Sequence, residues 1–271
     1  MPKSSRGGKA GANAIFTIRQ PQYHPVTNPR PAPQPTPQPA PQPVPPIQVN
    51  QPSASYDAFR QMTDDQKADV IMQAKNTQVP IFLAQNDLQK VLYGLKLNDK
   101  PTLVDDSVLD TMPGKELFRT VNATNDQANR IKYTAMDVAS QTIKGSVTRV
   151  SDTGGSVHGR GIYFADSYSS SVVYGNRSNS INQTAVVRVK LSPSAKTIST
   201  TAAASGVSRE INSGSKLGRA LSKIGYQDQT AVWSLAKGYD AMVARNGYHV
   251  IINRSALVAS KDIKPAGGRW K

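Results

Sequence analysis

The sequence predicts an α+β fold, and three observations predict it. Short runs with strand-like alternation, Glu116–Val121 and Ser146–Ser151, and β-rich runs such as Thr184–Leu191 recur through the second half of the chain. Stripes of apolar residues at helical spacing lie between these runs and in the segment before them. Strands and helices follow one another without a regular βαβ rhythm, which argues against a doubly wound parallel sheet.

Composition divides the 271 residues into three parts. Fourteen of the 19 prolines fall within residues 2–52, and residues 1–56 hold no acidic side chain. The stretch PRPAPQPTPQPAPQPVPP (29–46) has proline at almost every second position, which removes amide donors and fixes φ. Residues 1–55 are therefore expected to form a basic, disordered tail with polyproline II character, acting as a semi-rigid spacer or as a docking peptide for an aromatic groove. An acidic partner or a virion component is the expected contact of this basic arm.

Residues 56–113 read as a small helical module with a scaffolding role. Thr63-Asp64-Asp65-Gln66 has the order of a capping box, and the two acids favour the helix dipole. Asn86-Asp87 opens a second helix with Leu88, Val91, Leu92 and Leu95 on one stripe. Asp105-Asp106-Ser107 caps a third, stopped by Pro113-Gly114.

Residues 114–271 carry most of the net charge of +15 and form the large domain. Expected strands are Glu116–Val121, Ser146–Ser151, Gly161–Ala165, Thr184–Leu191, Tyr239–Arg245 and Tyr248–Asn253, the last two flanking the Asn246-Gly247 hairpin signal. Helices are expected at 125–143, 167–174, 215–224 and 229–237.

Whole classes of function are excluded at the same level. With no cysteine there is no disulfide, thiolate metal site or cysteine nucleophile, and three histidines do not suggest a metal centre, so no metal is expected. No run approaches the roughly 18 apolar residues of a membrane span, and the basic start lacks a secretory h-region. The expected setting is a cytoplasm, or a particle assembled there.

The informative stretch is SDTGGSVHGRGIYFAD, Ser151–Asp166, running on to Tyr174. Four glycines in eleven residues let a backbone approach a ligand closely, although the spacing fits neither a P-loop nor a dinucleotide fingerprint. A flexible connector before a buried strand is the plain alternative. Likewise, Tyr163 is open to a reading as a core aromatic, Arg119 as an edge-strand ion-pair residue and His158 as a loop histidine.

The run from His158 to Tyr174 resembles the nicotinamide-pocket motif of the ADP-ribosyltransferases, in the G-K-G-I-Y-F-A-D form of the poly-ADP-ribose polymerases. Gly159, Gly161, Ile162, Tyr163, Phe164, Ala165, Asp166, Ser171 and Tyr174 fall in register with it. Leu117-Phe118-Arg119 stands where the family has its first-strand Arg or His. The likeness spans roughly residues 115–258 and extends to transferase-like domains encoded among bacteriophage structural genes. It implies a split antiparallel or mixed sheet with flanking helices.

It also implies NAD as substrate, with no metal. Tyr163 and Tyr174 would sandwich the nicotinamide ring, Ser171 would hold its carboxamide, and Arg119 would meet the diphosphate or ribose. Ser151, His158, Gly159 and Gly161 complete the implied binding set. The departure is at the last core strand, where the family has a Glu and this chain has Tyr248. Asp228, expected on a loop before the Trp233 helix, is a substitute carboxylate, so Arg119, Asp228 and Tyr248 are the implied catalytic positions. Asp240, on the neighbouring strand, is expected to cap it.

The function implied is mono-ADP-ribosyl transfer to a host protein or other acceptor, encoded by a phage, in the host cytoplasm or packaged in a virion. A catalytically degenerate fold serving as a virion or interaction module is the alternative. A nucleic-acid binder follows more weakly from the charge, because the basic residues form no tract.

Overall fold

The computed structural model describes residues 54–79, 86–95, 100–126, 131–144, 159–175 and 184–265. The expected tail, apart from Ala54 and Ser55, and the expected strand Ser146–Ser151 lie outside them, as do Ser151 and His158.

The described chain is α+β. Three helices come first: α1 (Ala54–Gln61), α2 (Asp64–Lys75) and α3 (Asp87–Gly94). Strand β1 (Thr102–Val104), helix α4 (Asp106–Thr111) and strand β2 (Glu116–Asn122) follow. A small pair, β3 (Thr124–Asp126) and β4 (Ile131–Tyr133), precedes α5 (Ala135–Lys144). Next are β5 (Ile162–Ala165), α6 (Tyr168–Gly175), β6 (Thr184–Leu191) and β7 (Thr197–Ser199). Helices α7 (Thr200–Asn212), α8 (Lys216–Ser222) and α9 (Tyr226–Ala236) form a second helical group. Strands β8 (Ala241–Val243), β9 (Tyr248–Ile251), β10 (Leu257–Ser260) and β11 (Lys264–Pro265) complete it.

Nine of the described strands form one mixed, open sheet in the order β1-β10-β6-β2-β5-β9-β8-β7, with β11 also on β6. β1 runs parallel to β10 and β7 parallel to β8, and the other pairs are antiparallel. The β8–β9 turn is the expected hairpin, with Gly247 at φ 83° supplying the left-handed residue.

The sheet separates two cores, and β9 shows how. Val250 and the following Ile252 pack with α1–α3 and α7–α9, while Ile251 packs on the side of α5. This is the period-two alternation of a strand buried on both faces. Tyr56 and Phe59 of α1 are fully buried in the first core, beside Ile71, Leu88 and Val91. The helices at 54–95 therefore share one apolar core with α7–α9.

The expected start signals of α2 and α3 are present. Thr63 and Gln66 exchange both capping-box hydrogen bonds, and the Asn86 side chain accepts from the Gln89 amide at 2.8 Å. Asp105 does precede α4, but its side chain makes no cap hydrogen bond. Three expectations need correction. Residues 102–104 are a strand within the segment read as helical, because Leu103 packs against the core under α5 and β10 offers a pairing edge. The helix expected at 125–143 begins only at Ala135, after the β3–β4 pair. The 13-residue α7 was not expected at all, since TTAAASGVSREIN carries only Val207 and Ile211 as large apolar residues.

Candidate functional site

The most suggestive feature of the sheet is where it comes apart. β2 pairs with β6 over seven residues, but with β5 through Phe118 and Ala165 alone. Beyond that pair β2 and β5 part, and a side-chain contact reaches from one strand to the other. Arg119 Nη1 donates to the Tyr163 carbonyl at 3.0 Å. One residue on, the Thr120 and Ser171 hydroxyls lie 2.8 Å apart, with Ser171 buried on α6. Phe118 and Tyr168 close the paired end edge-to-face, ring centroids 6.0 Å apart.

Arg119 is thus brought onto Tyr163, 44 residues away, and its neighbour Thr120 onto Ser171, 51 residues away. Arg119 and Tyr163 do not share one face. Leu117 and Val121, two residues either side of Arg119, belong to the core under α5, whereas Tyr163 packs toward the core of α2 and α7–α9. A ligand touching both the guanidinium and the tyrosine ring has to enter the gap between the strands.

The described part of the glycine-rich stretch, from Gly159 on, is built into the fold. Gly159 has φ 98°, and its carbonyl accepts the Tyr163 hydroxyl at 2.7 Å. Arg160 then docks on the first turn of α9: its amide donates to the Gln227 carbonyl at 2.9 Å, Nη2 to Gln227 Oε1 at 2.9 Å, and Nε to Asp228 Oδ1 at 3.2 Å. A Cβ on Gly161 would lie 2.6 Å from Val250 Cγ1 and 2.8 Å from the Ile251 carbonyl oxygen. The close approach that requires glycine at 161 is thus to β9 and not to a ligand.

Asp228 sits in the first turn of α9 and not on a loop, which corrects the expectation. It is buried, paired with Arg160, and accepts from the Asp87 amide at 3.3 Å. Burial pushes its carboxyl above the usual carboxylate range, against the pull of Arg160. Asp240 immediately precedes β8 and is a buried hub: Arg60 Nη2 and Asn253 Nδ2 both donate to its Oδ1 at 2.8 Å, and the Lys196 amide donates to Oδ2 at 2.9 Å.

Tyr248 opens β9, half-buried and in register with Ala165. Tyr174 falls in the last turn of α6. Among the described residues no group of three or more His, Cys, Asp or Glu is placed to hold a metal ion, and no helix is long and apolar enough to cross a membrane.

Three participants, Thr120, Asp166 and His249, were given no site role by the sequence, although Asp166 lies within the motif. Thr120 looks like an ordinary strand residue until its contact with Ser171 is known. Asp166 carries a 2.6 Å ion pair to Lys115 and presses on Gly247, where a Cβ would meet its carboxylate at 2.5 Å. His249 pairs in register with Phe164, and its Nδ1 is buried without a hydrogen-bond partner. Burial pushes the His249 imidazole below the usual histidine range, with Asp166 pulling the other way. His249 adjoins Tyr248, the position already singled out, and that adjacency was the available signal.

No protein-family model matches the chain, and comparison with curated proteins and with solved structures likewise gave no match.

Proposed function

We propose that the chain is an NAD-dependent mono-ADP-ribosyltransferase that transfers ADP-ribose from NAD to an acceptor and releases nicotinamide. The observation that carries this reading is that Arg119 meets Tyr163, and its neighbour Thr120 meets Ser171, where β2 and β5 part. The motif's resemblance names Arg119, Tyr163 and Ser171 independently. In the reaction the nicotinamide–ribose bond breaks and its electron pair leaves with the nicotinamide ring. The acceptor nucleophile then bonds to the ribose carbon and gives up its proton. Arg119 suits the role of clamping the diphosphate or ribose, and the Tyr163 ring that of a stacking wall. A host target and a bacteriophage source accompany this reading, on the same resemblance.

A specific observation favours the second reading, a fold that has kept its shape and lost the chemistry. Tyr248 occupies the position where a carboxylate would stabilise an oxocarbenium-like state, and Asp228 is committed to Arg160. Titration with NAD and measurement of released nicotinamide separate the two. Binding with release supports the transferase, binding without release supports the degenerate fold, and no binding defeats both.

A further inference from the structure

Between α7 and the start of α9 runs a groove of about 640 Å³ whose rim reaches Gly159. Its volume falls in the range of small-molecule sites. Ala204, Val207 and Ile211, one stripe of α7, give it an apolar floor. Lining the same groove are the amides of Asn212, Gln227 and Gln229 and the hydroxyls of Ser208 and Thr230. None of the lining residues is Lys, Arg, Asp, Glu or His, on a chain whose net charge is +15. At its edge Tyr226 is 87% exposed, the most exposed of the large hydrophobic side chains among the described residues.

The lining selects by exclusion. An ionic ligand entering this groove would lose water without meeting an opposite charge among the lining side chains, a cost hydrogen bonds from neutral groups repay poorly. A purely apolar ligand would leave the amides and hydroxyls unsatisfied. Two of the amides are already oriented. Gln227 accepts from Arg160 Nη2 through its oxygen, and Gln229 donates to the Ile224 carbonyl through its nitrogen at 3.2 Å. Those bonds use the Gln227 oxygen and the Gln229 nitrogen, and leave the Gln227 nitrogen and the Gln229 oxygen outside them. Neutral donors and acceptors lining the same groove as an apolar stripe, beside an exposed aromatic ring, match a ring that is apolar on its face and hydroxylated at its edge.

We propose that the α7–α9 groove binds an uncharged, polyhydroxylated ring, the chemistry shared by saccharides and nucleosides, with Tyr226 as its stacking platform. Gly159 is shared with the residues implied for NAD, so Tyr226, which is not among them, is the residue that tells the two sites apart.

The full-length chain, labelled with ¹⁵N, is titrated separately with chitotriose and with adenosine. The expected result is a saturable shift of the Gly159 and Thr230 amides with at least one probe. Tyr226→Ala should weaken that probe at least tenfold and Tyr226→Phe, which keeps the ring face, should restore it. Because Tyr226 is exposed, both variants are expected to keep the wild-type spectrum elsewhere. A response to chitotriose alone assigns a saccharide, one to adenosine alone a nucleoside, and one to both the shared ring chemistry. No response of these amides to either probe up to about 10 mM overturns the proposal. So does an undiminished response in Tyr226→Ala.

Discussion

Arg119 and Tyr163 are joined where β2 and β5 part, the guanidinium Nη1 standing 3.0 Å from the tyrosine's main-chain carbonyl. The contact uses one donor of a five-donor fork and fixes the side chain across the gap. Its direction has a consequence for variants: it survives any change of the Tyr163 ring, whereas the Tyr163 hydroxyl is spent separately on Gly159.

If NAD enters this gap, Arg119→Ala should weaken it by the ~1.5–3 kcal/mol of a charge-assisted contact. Tyr163→Phe should leave affinity nearly unchanged, since stacking uses the ring and not the hydroxyl. It should instead cost about 1 kcal/mol of stability, the worth of the hydroxyl–Gly159 bond. Calorimetric titration and thermal melts read the two separately, and equal NAD affinity in wild type and Arg119→Ala would sink the role given to the arginine.

The glycines of the motif are predicted to matter for folding. Gly161→Ala would place a methyl 2.6 Å from Val250 Cγ1 and 2.8 Å from the backbone of Ile251, so β5 and β9 must separate. A loss of roughly 2–3 kcal/mol is expected, as for other overpacked interiors. Gly214→Ala is the control. Its φ is 66° and nothing lies within 4 Å of its built Cβ, so only the left-handed backbone cost of roughly 1–2 kcal/mol applies. Denaturant midpoints that rank the two variants the other way would refute this.

How far the sequence carried follows from which forces are local. The starts of α2 and α3 were legible because Thr63, Gln66 and Asn86 act on their own first turns. β6 was legible because Thr184–Leu191 is a continuous β-rich run. α7 was not, because its small residues serve a partner distant in sequence: a Cβ on Gly206 would fall 2.2 Å from Trp233 Cη2, so α7 lies directly on α9. At the site, Tyr163 and Arg119 were nameable from a motif. The Arg160–Asp228 clamp was not, since a carboxylate 68 residues away shows no local pattern.

A pH dependence follows from His249. Its folded pKa is depressed by burial, while the unfolded chain titrates near the ordinary ~6.5. Between those values the unfolded state binds more protons than the native one. Stability therefore falls as pH drops through about 6.5, and the loss ends once the folded pKa is passed. Asp166 and Lys115, the charges acting on the imidazole, oppose each other. His249→Gln should flatten this part of the stability curve, and a wild-type-minus-variant difference that does not change between pH 7 and 5 would exclude the mechanism.

The last prediction concerns two buried aspartates, Asp228 and Asp240. Asp240 receives three hydrogen bonds, two of them on Oδ1, at 2.8–2.9 Å in a buried setting. An amide there keeps one acceptor oxygen and turns an NH2 toward donors, so Asp240→Asn should cost about 3–5 kcal/mol, as when a buried pair is broken. Asp228 makes longer contacts, 3.2 Å to Arg160 and 3.3 Å to the Asp87 amide. Its raised pKa means the fold already favours the neutral form relative to water. Asp228→Asn should therefore cost only about 1 kcal/mol, a shift of roughly 2–4 °C in Tm against several times that for Asp240→Asn. The same fixation decides its chemical role. A carboxylate held in the first turn of α9 by Arg160 positions the Gly159–Tyr163 turn and is not delivered to a ribose. If the chain releases nicotinamide, Asp228→Asn should keep the rate within about threefold, well under 1.4 kcal/mol of barrier. A folded Asp228→Asn variant that binds NAD as wild type does, yet has lost release entirely, would show instead that this carboxylate reaches the reacting bond.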